Sequence, residues 1–153
     1  VVLGTGEDGY ENFFRHYAWK YPQRVSAQIY YSEEKSHKIY AGCDALLMPS
    51  LFEPCGLSQL IALRYGTVPI VRETGGLKDT VEPYNEYEGK GTGFSFANYN
   101  AHEMMAGIRY AEQVYYDHRE AWEEMIARGM EQDYSWKSSA LQYQELYDWL
   151  VER

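Results

Sequence analysis

Short apolar runs alternate with helical patterns in the first half of the chain. The runs at 1–4, 25–30, 44–48 and 68–71 are apolar or β-branched, and each predicts a buried strand. The segments between them carry apolar residues at helical spacing. Strands that alternate with helices are typical of βαβ units. We therefore expect an α/β fold in which helices cover both faces of a parallel sheet.

Three helices are predicted between these strands. The first has an aromatic face at helical spacing, formed by Tyr10, Phe13, Phe14, Tyr17 and Tyr21. It ends before Pro22, and we expect its aromatic face to be buried. Ser32 precedes a second helix that runs to Gly42, and a third runs from Leu57 to about Tyr65.

The second half of the chain changes character after Asp79. An acidic loop rich in tyrosine and glycine at 82–91 leads into the segment 93–96, after which no strand is predicted. Three helices follow. Asn100 and Glu103 resemble a capping box that opens the first, and Ser135 caps the last. Apolar stripes continue along all three, and the last stripe consists of Trp136, Ala140, Tyr143, Leu146, Tyr147 and Leu150. We expect most of the aromatic residues to lie on core faces.

Composition narrows the function classes. The 153 residues are 45% apolar and 24% charged, which is typical of one globular domain. A net charge of −9 disfavours binding to a nucleic-acid backbone, so a phosphate ligand has to be held locally. Cys43 and Cys55 lack metal-ligand spacing, which predicts no zinc site, no disulfide framework and a reducing, cytoplasmic setting. No apolar run long enough for a membrane span is present, and we expect no membrane or nucleic-acid partner.

Two loops are candidates for ligand binding, because ligands of parallel sheets lie beyond the carboxyl ends of the strands. They are residues 52–59 and residues 72–80. Gly56 allows close backbone approach, and the N–H groups of Gly56, Leu57 and Ser58 would face a phosphate without a basic side chain.

Glu53 lies immediately before this amide cluster. A carboxylate beside a phosphate site suits a nucleotide sugar, whose hydroxyl groups donate to the carboxylate while its diphosphate meets the helix terminus. Gly75 and Gly76 supply a second close backbone approach that could hold sugar hydroxyls. Taken alone, Glu53 is an ordinary turn residue, Cys55 is a small apolar side chain rather than a nucleophile, and a glycine pair marks a turn.

Several strings of the sequence agree with one family. FEPCGLSQ at 52–59 and RETGGLKDTV at 72–81 resemble the donor-site signature of the bacterial glycogen synthases and plant starch synthases. The segment YYSEEKSHKIYAGCDALLMPS at 30–50 and DYSW at 133–136 are also similar to that family. The resemblance therefore extends through nearly the whole chain.

The resemblance implies one half of a transferase with two Rossmann-like domains and a cleft between them. It implies transfer of glucose from ADP-glucose to the non-reducing end of an α-1,4-glucan, with retention of configuration and with neither a metal nor another cofactor. Glu53 would hold the glucose hydroxyls, and Tyr31 would stack on the adenine. The other residues that the resemblance assigns to the nucleotide sugar are Cys55, Gly56, Leu57, Ser58, Thr74, Gly75 and Gly76.

The chain also departs from the family. Ile61 stands where many related transferases have a second glutamate, and Ser58 stands where threonine is common. The family's N-terminal domain, with its Lys-Thr-Gly-Gly-Leu loop, has no counterpart in these residues. Nor do the arginine and lysine near the start of the donor domain. We therefore expect residues 1–153 to be a C-terminal donor domain that is incomplete at its start and inactive alone, with the N-terminal domain as its partner.

Two other function classes stay open. One is a non-catalytic nucleotide- or glucan-binding module that regulates another protein. The other is a domain of a different enzyme of similar architecture, such as another retaining transferase, a phosphorylase or a nucleotide-sugar epimerase. The sequence chemistry does not distinguish ADP from UDP.

Overall fold

A computed structural model describes residues 1–152 and divides the chain into two compact units. The first unit, Val1–Cys43, contains β1 (Val2–Leu3), α1 (Asp8–Lys20), β2 (Ala27–Gln28) and α2 (Glu33–Gly42). The second unit begins at Asp44 and contains β3 (Ala45–Met48), α3 (Ser58–Tyr65), β4 (Val68–Arg72), α4 (Gly75–Thr80), β5 (Phe94–Phe96), α5 (Ala101–Asp117), α6 (Arg119–Glu131) and α7 (Trp136–Val151).

Every strand pairing in the two sheets is parallel. In the first unit β1 pairs with β2, and in the second the strand order is β3-β4-β5. Parallel neighbours need crossover connections, and helices supply them here. The expected α/β fold with a Rossmann-like parallel sheet and three C-terminal helices is confirmed.

The core of the second unit lies between its sheet and helices α5 and α6. Its buried members are Val68, Ile70, Phe94, Ala111, Val114, Trp122 and Met125. The Phe94 and Trp122 rings stack with their centroids 6.0 Å apart. A smaller cluster of Val71, Leu77 and Val81 packs against Met48. This second cluster joins α4 to the ends of β3 and β4, where the candidate loops begin.

The predicted helix starts are confirmed by their caps. The Ser32 Oγ accepts from the Lys35 N–H at 3.2 Å, and the Asn100 Oδ1 accepts from the Glu103 N–H at 2.9 Å. The Ser135 Oγ accepts from the Ser138 N–H at 3.3 Å. Each bond satisfies a donor that the first helical turn leaves without a partner.

Four expectations about helices and strands were wrong. The aromatic face of α1 is not buried, with Tyr10 67% exposed, and α7 has no buried residue at all, with Trp136 90% exposed. Periodicity identifies residues that share a helix face, but it does not say whether another element covers that face. β1 and β2 have only two residues each instead of the runs 1–4 and 25–30.

The fourth error concerns the second candidate loop, because Gly75–Thr80 forms the short helix α4. Two glycines at its start hid the helical pattern.

Within the described residues, no helix has the length and apolar character to span a bilayer.

Candidate functional site

Residues 49–57 connect the carboxyl end of β3 to the start of α3 and form the first candidate loop. Gly56 has φ +74°, a left-handed conformation that glycine adopts without steric cost. The turn at Gly56 leads directly into α3, whose first residue is Ser58. The loop therefore ends on a helix N-terminus, where backbone N–H groups have no intrahelical acceptors.

Three consecutive backbone amides at this turn have no hydrogen-bond acceptor within the described part of the chain. The N–H groups of Gly56, Leu57 and Ser58 donate to no acceptor among residues 1–152. Leu57 is 66% exposed and Ser58 is partly exposed, whereas Gly56 is buried. The three N–H groups therefore lie next to one another at the start of α3, and such a cluster is chemically suited to an anionic ligand.

The second candidate loop begins at the end of β4, which lies next to β3 in the sheet. Because the strands are parallel, both loops leave from the same edge. Thr74 is the N-cap of α4 and has extended backbone, and its side chain forms no cap hydrogen bond. Gly75 follows with φ +44°, again in the left-handed region.

The two loops are in direct backbone contact. The Gly76 N–H donates to the Glu53 carbonyl oxygen at 3.2 Å. A Cβ on Gly75 would overlap the Glu53 carbonyl oxygen, and a Cβ on Gly76 would overlap that of Cys55. The glycine pair therefore lets α4 approach the first loop, and the Gly76 N–H is already occupied by protein.

The Glu53 side chain is half-buried, and its backbone is held by this contact. Within the described part of the chain, its carboxylate takes part in no hydrogen bond or ion pair. A fixed backbone with an uncommitted carboxylate is an arrangement that can orient hydroxyl donors of a ligand.

A buried amide supports the first loop from below. The Gln59 side chain is fully buried, and the two hydrogens of its Nε2 are shared among three acceptors within hydrogen-bond distance, the carbonyl oxygens of Cys55 and Gly56 and the Thr80 Oγ1. The Tyr134 hydroxyl donates to the Thr80 carbonyl oxygen at 2.8 Å. Burial raises the pKa of Tyr134, so this hydroxyl keeps its proton. Residues from three separate segments thus support one turn.

Arg72, at the end of β4, holds the opposite end of the same loop. Its Nη1 donates to the carbonyl oxygens of Ser50 at 3.3 Å and Leu51 at 2.8 Å. Its guanidinium lies 5.8 Å from the centre of the Tyr99 ring, within cation–π range. Anchored at both ends, the loop carries Glu53 on a supported backbone.

Tyr31 lies in the first unit, three residues beyond the end of β2. Its side chain is 83% exposed, whereas that of Tyr30 is 42% exposed. The Tyr30 hydroxyl donates to the Gln28 Oε1 at 2.9 Å and also bonds to the Lys35 ammonium group. β2 ends at Gln28, so Tyr30 and Tyr31 lie beyond the strand, and the alternation of side chains along a strand does not determine where their rings point. The two residues differ instead in exposure and in hydrogen bonding.

The donor set of this site is not that of a metal centre. Across residues 1–152, no three His, Cys, Asp or Glu side chains cluster in a way that could hold a metal ion. Neither Cys43 nor Cys55 forms a disulfide in the described structure.

The structure therefore brings most of the predicted site residues together and adds supporting residues. The first loop carries Glu53, Cys55, Gly56, Leu57 and Ser58, and α4 begins against it with Thr74, Gly75 and Gly76. The sequence reasoning assigned no role to Gln59, Arg72 or Thr80, although all three stand inside the two motifs. Their polar side chains next to apolar runs were the available signal.

The family model that matches this chain is that of the glycosyl transferases group 1, over residues 1–128. The glycogen synthase of Lachnospira eligens is 75% identical over 148 residues, which are 97% of this chain and 31% of that protein. The glycogen synthase of Lachnoclostridium phytofermentans is 68% identical over the same shares. The chain thus spans about a third of the length of these relatives.

Among solved structures, the chain is similar to the catalytic domain of starch synthase IV from Arabidopsis thaliana, which was solved bound to ADP and acarbose. The TM-score is 0.80 and the sequence identity is 34%. The match covers 98% of this chain and 31% of that one.

Proposed function

This chain belongs to the group 1 glycosyl transferases, and on that premise we propose that it forms the donor-binding half of a glycogen or starch synthase. The proposed reaction transfers glucose from ADP-glucose to the non-reducing end of an α-1,4-glucan with retention of configuration. The identities of 68–75% to two bacterial glycogen synthases support this choice within the family.

The two loops supply groups that match the two parts of the donor. The N–H groups of Gly56, Leu57 and Ser58, which have no acceptor among the described residues, bind the diphosphate. The Glu53 carboxylate accepts hydrogen bonds from the hydroxyl groups of the glucose. Neutral amides bind an anion without adding positive charge, which is consistent with a chain of net charge −9. In this proposal the backbone N–H groups, rather than a metal ion, stabilise the negative charge of the diphosphate, and no cofactor is needed.

Tyr31 stacks on the adenine in this proposal. Its side chain is 83% exposed, so the ring is accessible to a base. Thr74, Gly75 and Cys55 line the nucleotide sugar beside the amide cluster. The starch synthase of similar structure was solved with ADP, which supports an adenine nucleotide as the ligand.

The binding site for the acceptor and the other side of the cleft belong to the proposed partner, an N-terminal domain of the same enzyme. The α-glucan would enter between the two domains, and the enzyme would work in the cytoplasm. The starch synthase structure was solved with acarbose as well as ADP, which supports a glucan-like acceptor.

One observation carries the proposal: the same anchored loop carries the Glu53 carboxylate and three backbone N–H groups, none of which has a partner among residues 1–152. The test is incorporation of labelled glucose into glycogen by the full-length protein that contains this chain, with ADP-glucose and UDP-glucose as alternative donors. Incorporation from ADP-glucose with an α-linked product supports the proposal. Binding of ADP without any incorporation would instead favour a regulatory module, and an absence of both would contradict the proposal.

A further inference from the structure

The Gln59 side chain is a polar group placed where an apolar one would be expected. It is fully buried on the first turn of α3, between the first loop and α4. Its Nε2 lies 3.1 Å from the Cys55 carbonyl oxygen, 2.9 Å from that of Gly56 and 3.1 Å from the Thr80 Oγ1. Burying an amide is costly unless it is hydrogen-bonded. The Nε2 has these acceptors, whereas the buried Oε1 has no partner among the described residues, so the amide is held through its Nε2.

The orientation of this amide is determined by its neighbours. With the opposite orientation, Oε1 would face two carbonyl oxygens, which are acceptors only. The Thr80 hydroxyl donates to the Gly76 carbonyl oxygen at 2.6 Å, so it offers Gln59 a lone pair rather than a hydrogen. Thr80 therefore holds Nε2 toward the loop and ties it to α4.

The two carbonyl bonds have a consequence for the other side of the loop. In a planar trans peptide, the C=O of one residue points opposite to the N–H of the next. When Gln59 binds the carbonyl oxygens of Cys55 and Gly56, the N–H groups of Gly56 and Leu57 must point away from Gln59. Those are two of the three amides that have no acceptor among the described residues.

We propose that Gln59 is a positioning residue that orients the Gly56 and Leu57 N–H groups toward the donor diphosphate, with Thr80 holding the Gln59 amide in place. This inference rests on the proposed function. Gln59 itself is fully buried behind the loop. Its effect reaches the ligand through the two peptide planes.

A merely structural role for Gln59 would have a different signature. Loss of general packing weakens every ligand of the domain together. Loss of peptide orientation weakens ligands that carry the diphosphate and spares those that lack it. ADP and adenosine form the matched pair of probes, because they share the base and ribose and differ only in the phosphates.

The experiment titrates both ligands into the full-length protein with Gln59→Met, which keeps the length and apolar stem but removes the donor. Circular dichroism establishes that the variant is folded, and Gln113→Met, at an exposed position of α5, is the control. We expect ADP affinity to fall at least about tenfold, while adenosine affinity stays within about twofold. Thr80→Val removes the hydroxyl but keeps the shape of the side chain, and it should likewise lower the ADP affinity while leaving the adenosine affinity nearly unchanged.

Equal weakening of ADP and adenosine, or unchanged ADP affinity in folded Gln59→Met, would overturn the inference. If Gln59→Met does not fold, the ratio measured for Thr80→Val decides by the same criterion. Failure of the unmodified protein to bind ADP would refute the proposed function first, and this inference with it.

Discussion

The backbone N–H of Gly76 donates to the carbonyl oxygen of Glu53 at 3.2 Å, which joins the start of α4 to the loop that follows β3. A side chain on Gly76 would overlap the neighbouring Cys55 carbonyl oxygen. The position of Glu53 therefore depends on the absence of a Cβ on Gly76, at the start of α4. This contact explains the glycine pair by backbone packing, whatever ligand the site binds.

Gly76→Ala should accordingly destabilise the protein and reduce its activity. Overpacking of this kind costs about 1–3 kcal/mol, and any relief must move Glu53 or Cys55. Thermal unfolding and glucose incorporation measure the two effects in the full-length protein. Gly9→Ala is the matched control, because a Cβ there meets nothing within 4 Å. Equal unfolding temperatures for the two variants would show that the loops separate easily.

Glu53→Gln should reduce turnover far more than it weakens ADP binding. The carboxylate is proposed to contact the sugar, where charge develops during transfer, and not the diphosphate. Groups that act on developing charge are worth several kcal/mol, so the rate should fall by roughly two orders of magnitude or more. Steady-state kinetics and ADP calorimetry on the full-length protein separate the two. A variant with normal turnover and weak ADP binding would contradict the assignment.

Tyr31→Ala should weaken ADP by about tenfold or more, because base–aromatic stacking contributes about 1–3 kcal/mol per base. Tyr31→Phe should change the affinity little, since stacking needs only the ring. Tyr30→Phe is the internal control, because the Tyr30 hydroxyl is bonded to Gln28 and Lys35. Calorimetry on folded full-length variants provides the measurement. Unchanged ADP affinity in Tyr31→Ala would leave the base without this stacking partner.

The 153-residue chain alone should show no measurable synthase activity. A site in a cleft between two domains needs both walls to align the reactants and exclude water. Binding of ADP by the isolated chain is compatible with this expectation. Glucose incorporation by the purified chain at a rate near that of the full-length protein would disprove it.

Glu103 should contribute to stability in a pH-dependent way. Hydrogen bonds from the Asn98 backbone and then from the Asn98 side chain lower the pKa of Glu103 below its usual range. A lowered pKa means that the stabilisation is present above the unfolded value, about 4.3, and is lost as the pH falls through the folded value. The stability difference between the unmodified protein and Glu103→Gln should therefore shrink on acidification below about pH 4. A difference that is constant from pH 7 to pH 3 would exclude this role.

The sequence by itself determined the alternation of strands and helices apart from α4, the helix caps and the location of the candidate loops. These features depend on local chemistry: Ser32, Asn100 and Ser135 each cap a helix through residues three positions away. The glycine at position 56 likewise marked a turn before α3. Local patterns were sufficient because the interacting groups are neighbours along the chain.

Only the tertiary structure decided which faces are covered and which backbone groups are free. The aromatic face of α1 and the stripe of α7 have the same periodicity as buried helices, yet neither is buried. The Gln59 contact to Thr80 spans 21 positions, and the Arg72 contact to Leu51 spans 21 as well. Peptide orientation at the candidate site depends on such long-range partners, and no local periodicity records them, because each partner is brought into place by the packing of a separate element.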